Sequence, residues 1–191
     1  MTSFTIASRA AKLQTILDAT VITDASGNVV DIETALGHLK SHLMEVKKSH
    51  SGVYLVGNGG SAAVASHAIT DFVNVAKLRA MTLHESSLMT CMANDYGYEN
   101  AFSNILGVMA GAGDILFAIS SSGRSANICN AVAKMKNIGG MSVTLSGFDR
   151  DNTLQQMGDM NIWLDSHDYG LVEIGHLFIL HNLADRIGAG E

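Results

Sequence analysis

Two stretches of the chain carry imidazoles and carboxylates at spacings that let them act together. His67 and Asp71 are four residues apart, so both side chains share one face if that stretch is helical. Far along the chain, Glu173, His176 and His181 stand in the apolar run 171–181. One histidine among apolar neighbours is most often a satisfied core residue. Three titratable groups on one apolar helix are harder to bury, because each needs a partner. Together these groups suffice for a divalent-metal site or for acid–base proton transfer.

Two loops are suited to hold an anion near them. The apolar run 53–56 leads into Gly57-Asn58-Gly59-Gly60-Ser61, and a helix-like run follows. A strand, a glycine turn and a helix start bring unpaired N–H donors and the positive end of the helix dipole to one point. Ser61 is well placed to cap that helix and to donate its hydroxyl. The second loop is Ser120-Ser121-Ser122-Gly123-Arg124-Ser125, again between a strand and a helix. Ligands of open α/β sheets gather where strands end in such loops. Neither loop carries the lysine of a G-x-x-x-x-G-K-[ST] pattern, which disfavours a nucleotide triphosphatase. A phosphate monoester held by hydroxyls and backbone N–H groups fits better.

The remaining elements must position these groups. Helical spacing of apolar residues covers 6–22 and 31–48, with Asp31 as an N-cap of the second helix and 23–28 as the turn between them. Two amphipathic helices ahead of the first strand have nothing before them to pack on. They must cover the later domain or pair with another subunit. Strands are expected at 80–83, 114–119, 141–145 and 160–164, and helices at 100–109, 126–137 and 171–187. The segment 91–98, which holds Asn94 and Asp95, reads as a loop. Strands alternating with helices imply parallel crossovers and an α/β sandwich around a parallel sheet.

The composition is that of a single globular domain: 191 residues, 47% hydrophobic and 16% charged. A formal charge of −6 argues against a nucleic-acid surface. Apolar stretches are broken within about ten positions, too soon to span a membrane. The first residues lack the basic-then-apolar layout of a signal peptide, and Cys91 and Cys129 read as buried reduced thiols, so a cytoplasmic protein is expected. The chain has 19 glycines and no proline.

These features resemble the sugar isomerase (SIS) domain family, specifically its sedoheptulose 7-phosphate isomerase, or phosphoheptose isomerase, branch. The resemblance runs from about residue 30 to 187. It rests on the glycine turn 57–61 followed by His67, on Ala93-Asn94-Asp95-Tyr96-Gly97, on the serine loop with Asn127, and on His181. It implies a single SIS domain over 1–191, with a central five-stranded parallel sheet in a three-layer sandwich. Residues 1–50 would form a helical oligomerisation segment, and homotetramers would carry active sites between subunits. Matched position by position, Ser61, Ser120, Ser122 and Ser125 would hold the sugar phosphate. Asn58, Gly59, Gly60, Asn94, Asp95 and Ser121, with Asp71 and Glu173, would line the sugar site. His67, Asp71, Glu173 and His181 fall on the zinc ligands, and Asp71 and His181 also on the acid–base pair.

Two positions depart from the commoner pattern of the family, Asp71 for Glu and Glu173 for Gln. The first shortens a reach by one bond, about 1.5 Å. The second adds a negative charge at equal length. Glu173 and His181 also lie eight residues apart, roughly 12 Å along one helix, so a common ion needs an irregular helix start or two subunits. The expected function is aldose–ketose isomerisation of a phosphorylated heptose through an enediol. The rival is a non-catalytic SIS module that binds a sugar phosphate as a regulator or scaffold.

Overall fold

Short, mostly apolar runs form the parallel strands of a sheet whose central strands are buried on both faces. The computed structural model describes residues 4–190. Its elements in chain order are α1 (Ile6–Asp18), β1 (Val21–Asp24), β2 (Val29–Val30), α2 (Ile32–Ser49), β3 (Gly52–Val56), α3 (Gly60–Asn74) and β4 (Arg79–Thr82). There follow α4 (Ser86–Tyr96), α5 (Ala101–Met109), β5 (Ile115–Ser120), α6 (Ala126–Ile138), β6 (Met141–Ser146), β7 (Met160–Trp163) and α7 (Tyr169–Ala189). Short 3₁₀ turns precede α5 and β7.

The strands run in the order β2-β1-β7-β6-β5-β3-β4. The last five are mutually parallel, as expected, while β1 is antiparallel to both of its neighbours. Among the described residues the sheet therefore has seven strands and not five. The expected helix over 6–22 stops at Asp18, and the expected turn belongs to a hairpin. Its strand is Val21, Ile22 and Thr23, β-branched residues that favour extended backbone. Asp24 closes the turn by accepting from Ser26 N and Asn28 N, both at 2.9 Å.

Alternate residues of each central strand feed two cores. Val53, Leu55, Phe117 and Ile119 point to the face covered by α2, α3 and α7. Tyr54, Val56, Leu116 and Ala118 point to the face covered by α5 and α6. Asp31 caps α2 as expected, accepting from Thr34 N at 3.0 Å. The apolar stripe of α2 (Leu36, Leu39, Leu43 and Val46) is buried against this chain's own sheet. α1 is left loosely covered: it buries Ile16 alone, and Ile6 is 86% exposed. A bidentate ion pair from Arg9 to Asp168, at 2.5 and 3.1 Å, ties it to the start of α7. Hydrogen bonds from Arg9 and from Leu171 N hold that carboxyl at about 2.

Two further expectations are corrected. Residues 86–96 are helical, capped by the Glu85 side chain, which accepts from Ser87 N and Leu88 N at 3.1 and 2.7 Å. Cys91 is exposed on that helix and Cys129 only half-buried, both free, so neither is a fully buried thiol. No helix among the described residues is long and apolar enough to cross a membrane.

His176 lies in the fully buried stripe of α7, with Nε2 3.1 Å from Ser146 O and Nδ1 without a partner. Burial pushes its pKa down to about 4, so the ring is folded in neutral. An unfolded chain takes up that proton near pH 6.5, the ordinary histidine value. Stability should therefore be full above pH 6.5 and fall as the pH drops from there toward about 4. His176→Gln keeps a donor for Ser146 and cannot titrate. Urea unfolding at several pH values in this window should show a flatter decline for that variant, and equal slopes would contradict the assignment.

Candidate active site

The five parallel strands all end at one edge, and the loops leaving β3 and β5 meet there around a cleft of about 380 Å³. Asn58, Gly59, Gly60 and Ser61 line it from the first loop, and Ser120, Ser121, Ser122 and Ser125 from the second. The hydroxyl of Ser120 is 3.5 Å from that of Ser122 and 3.2 Å from that of Ser125. Ser121 Oγ is buried without a partner. Such a cluster of donors beside two helix N-termini suits a phosphate. Ser61 is not the helix cap. Gly59 holds that position, and Ser61 lies in the first turn of α3 as a wall of the cleft.

Tyr169 and Glu173 close the cleft from α7. Glu173 lies so close above α3 that a Cβ on Gly60 would overlap its carboxylate. A side chain at 60 would displace that carboxylate from its place over the cleft. Behind the cleft, Asn58 and Asn127 exchange two amide hydrogen bonds of 2.9 Å, and Tyr98 Oη donates to Asn58 Oδ1 at 2.7 Å. Gly57 N donates to His84 Nε2 at 3.3 Å. Burial lowers the pKa of His84, which keeps that nitrogen free to accept. Sequence reasoning missed Tyr98, His84 and Tyr169. Only His84 had a usable signal, a polar residue directly after a short buried strand. Asn94 and Asp95 are exposed on α4, bonded to each other at 2.9 Å, and do not line the cleft.

One face further along the same helix pair holds the second constellation. The ligand atoms of His67, Asp71 and His181 lie within 4.8 Å of one another. His181 Nδ1 is 2.5 Å from Asp71 Oδ2, and the two imidazole rings meet edge to face at 4.9 Å. That contact lacks the alignment of a hydrogen bond, and Asp71 Oδ2 is buried with no other donor. An orphaned carboxylate oxygen facing two imidazoles fits a divalent cation, and two nitrogens with one oxygen suit zinc with one position open. Glu173, expected as a fourth ligand, is not among them. It faces the serine cleft from eight residues earlier on α7.

A cleft of about 470 Å³ opens at the opposite edge of the sheet beside His38 and His42. Its carboxylates are already occupied by backbone donors: Asp24 by Ser26 N and Asn28 N, and Asp159 by Ser142 N at 2.8 Å.

Fold and cleft together define an α/β protein with an anion cradle at the carboxyl edge of a parallel sheet and an imidazole–carboxylate cluster beside it. A family model described as the SIS domain matches residues 19–147, and the chain belongs to that family. It is 32% identical over 150 residues to a phosphoheptose isomerase of Helicobacter pylori (strain HPAG1), covering 75% of this chain and 78% of that protein. It is 29% identical over 163 residues to a phosphoheptose isomerase of Citrifermentans bemidjiense, covering 82% and 84%. The solved phosphoheptose isomerase of Neisseria gonorrhoeae superposes with a TM-score of 0.77 at 24% identity, over 94% of this chain and 91% of that one. This last likeness establishes the fold.

Protein purified without chelator should carry about one divalent ion per chain, with zinc as the ion of choice for this donor set. His67→Ala and His181→Ala should each lower zinc content at least tenfold, on the scale of losing a ligand. Elemental analysis reads the outcome, and zinc retained in both variants would exclude the cluster as a metal site.

Proposed function

We propose that this protein interconverts sedoheptulose 7-phosphate and glycero-manno-heptose 7-phosphate through an enediol, as a cytoplasmic isomerase. One observation carries the reading: the two helices that wall the serine cleft at their starts, α3 with Gly60 and Ser61 and α7 with Tyr169 and Glu173, also carry the close Asp71–His181 pair. Kinship with proteins named phosphoheptose isomerase supports it.

Isomerisation moves one proton between neighbouring carbons and another between their oxygens. The serines and the starts of α3 and α6 would anchor the phosphate, which sets where the reacting carbons lie. Asp71 would accept the proton from the carbon beside the carbonyl and return it to its neighbour. His181, in contact with Asp71, would serve the oxygens, giving a proton to the former carbonyl and taking one from the hydroxyl that becomes the aldehyde. A divalent ion on His67, Asp71 and His181 would stabilise the negative charge that develops on those oxygens. Asn58, Gly59, Gly60, Ser121 and Glu173 would contact sugar hydroxyls in the cleft.

The assembly we propose is a homotetramer with sites shared between copies. Ser61 and Asp71 are ten residues apart, about 15 Å along α3, while an extended heptose phosphate spans roughly 10 Å from phosphorus to the aldehyde carbon. A second copy laid on the α3–α7 face would bring its His–Asp cluster to this cleft. Glu173 would then join the ligand set across the contact. Apolar surface for that contact is present: Ile174 and Phe178 are 53% and 55% exposed on α7, and Val73 is exposed on α3. Of the segment 1–50, the exposed side of α1 remains for contacts of this kind.

Incubation with sedoheptulose 7-phosphate should yield aldoheptose phosphate, and Asp71→Asn should lower that rate at least about 100-fold. Full activity in Asp71→Asn would remove it as the base. Ser120→Ala and Ser122→Ala should each weaken phosphosugar binding several-fold in calorimetry without unfolding the chain. Unchanged affinity in the double variant would remove the serine loop as the phosphate site. Light scattering at micromolar concentration should report a tetramer, and a stable monomer would contradict the shared site.

A further inference from the structure

We infer that Asn152 is a positioning residue for the phosphate cradle, holding the serine loop in its binding shape from beneath without touching the substrate. The inference rests on the reading of residues 120–125 as the phosphate site. Asn152 is fully buried and does not line the cleft. Its Nδ2 faces three acceptors, Asp149 O at 2.8 Å, Ser146 Oγ at 3.2 Å and Gly147 O at 3.3 Å. Its Oδ1 accepts from Gln155 N at 3.0 Å. Three oxygens on one side and an N–H on the other fix which way the amide points. Neither a carboxylate nor an alkyl side chain can serve both sides.

This single side chain folds residues 146–155 back on themselves, and the folded segment grips the serine loop at several points. Gly147 N donates to Ser121 O at 3.0 Å, and Leu154 N donates to Gly123 O at 2.9 Å. Arg124 donates to the Asp149 carboxylate at 2.9 Å. Gly123 has φ +62°, and a Cβ there would overlap Asn152 Oδ1. The asparagine therefore packs directly under the turn that carries Ser122. With the segment fixed, the hydroxyls of Ser120, Ser122 and Ser125 converge before any ligand arrives. A loop ordered in advance does not lose that freedom on binding. Loosening it should cost affinity for the phosphate group more than it costs the proton transfers.

The test compares the full-length protein with Asn152→Ala, Asn152→Ser and Ser120→Ala. Each is titrated with inorganic phosphate by calorimetry, assayed for KM and kcat on sedoheptulose 7-phosphate, and melted. Asn152→Ala should weaken phosphate binding and raise KM about tenfold, with kcat within about threefold, the pattern of lost uniform binding. Asn152→Ser keeps one hydroxyl donor and should recover part of the loss, and it takes over the test if the alanine variant does not fold. Native phosphate affinity and KM in a folded Asn152 variant would overturn the inference, as would a loss confined to kcat. If Ser120→Ala weakens phosphate binding and the Asn152 variants do not, only the role of Asn152 falls. If Ser120→Ala binds phosphate normally, the reading of the cradle falls and takes this role with it.

Discussion

Hydrogen-bond donors that are to hold an anion have to stay unpaired within the chain, yet close together. That constraint governs the carboxyl edge of this sheet. Five parallel strands deliver their outgoing loops to one line, and the β3 and β5 loops leave hydroxyls and helix N-termini facing one space. Left to themselves, such loops would bond inward. Here their backbone is engaged from behind, by His84 under Gly57 and by the segment after β6 under the serine loop. The serine hydroxyls that face the cleft are left to bond mainly one another.

The second organising feature is the pairing of α3 with α7. They run in the same direction, with Gly60 under Glu173 near their starts and Asp71 against His181 farther on. Near their ends, Val75 stands where a Cβ on Gly188 would go. Small residues at 60 and 188 let the helices approach, and that approach sets which carboxylate meets which imidazole. A slip of one turn would separate Asp71 from His181 and drive Glu173 into a side chain of α3. The catalytic spacing is therefore a property of helix packing as much as of the residues that carry it.

Much of this was legible in the chain. The parallel strands are short, mostly apolar runs, those of β3, β5 and β6 running into glycine or serine, and the helix–turn alternation that implies their topology is local. His67 and Asp71 share a helix face by spacing alone, and the two donor loops were visible because each follows a strand. The hairpin at 21–30 was not legible, because Val21 and Ile22 continue the apolar pattern of α1 and hide the change to extended backbone. Residues 91–98 read as a loop, although α4 carries them as far as Tyr96 with its cap at Glu85. Glu173 was the hardest to place. Its position over Gly60 depends on how two distant helices align, which no spacing along one helix encodes.

The hairpin also has a consequence for the molecule's behaviour at high concentration. A parallel sheet that ended at β7 would present a whole row of unpaired backbone groups, a template on which another chain can extend the sheet. β1 covers that row in the opposite direction, pairing Val21 to Asp24 with Trp163 to Met160, and β2 then covers β1 with only two residues. The new border is too short to seed growth. A hairpin whose first strand runs against the direction of the parallel strands thus works as a stop, protecting this flank against edge-to-edge association.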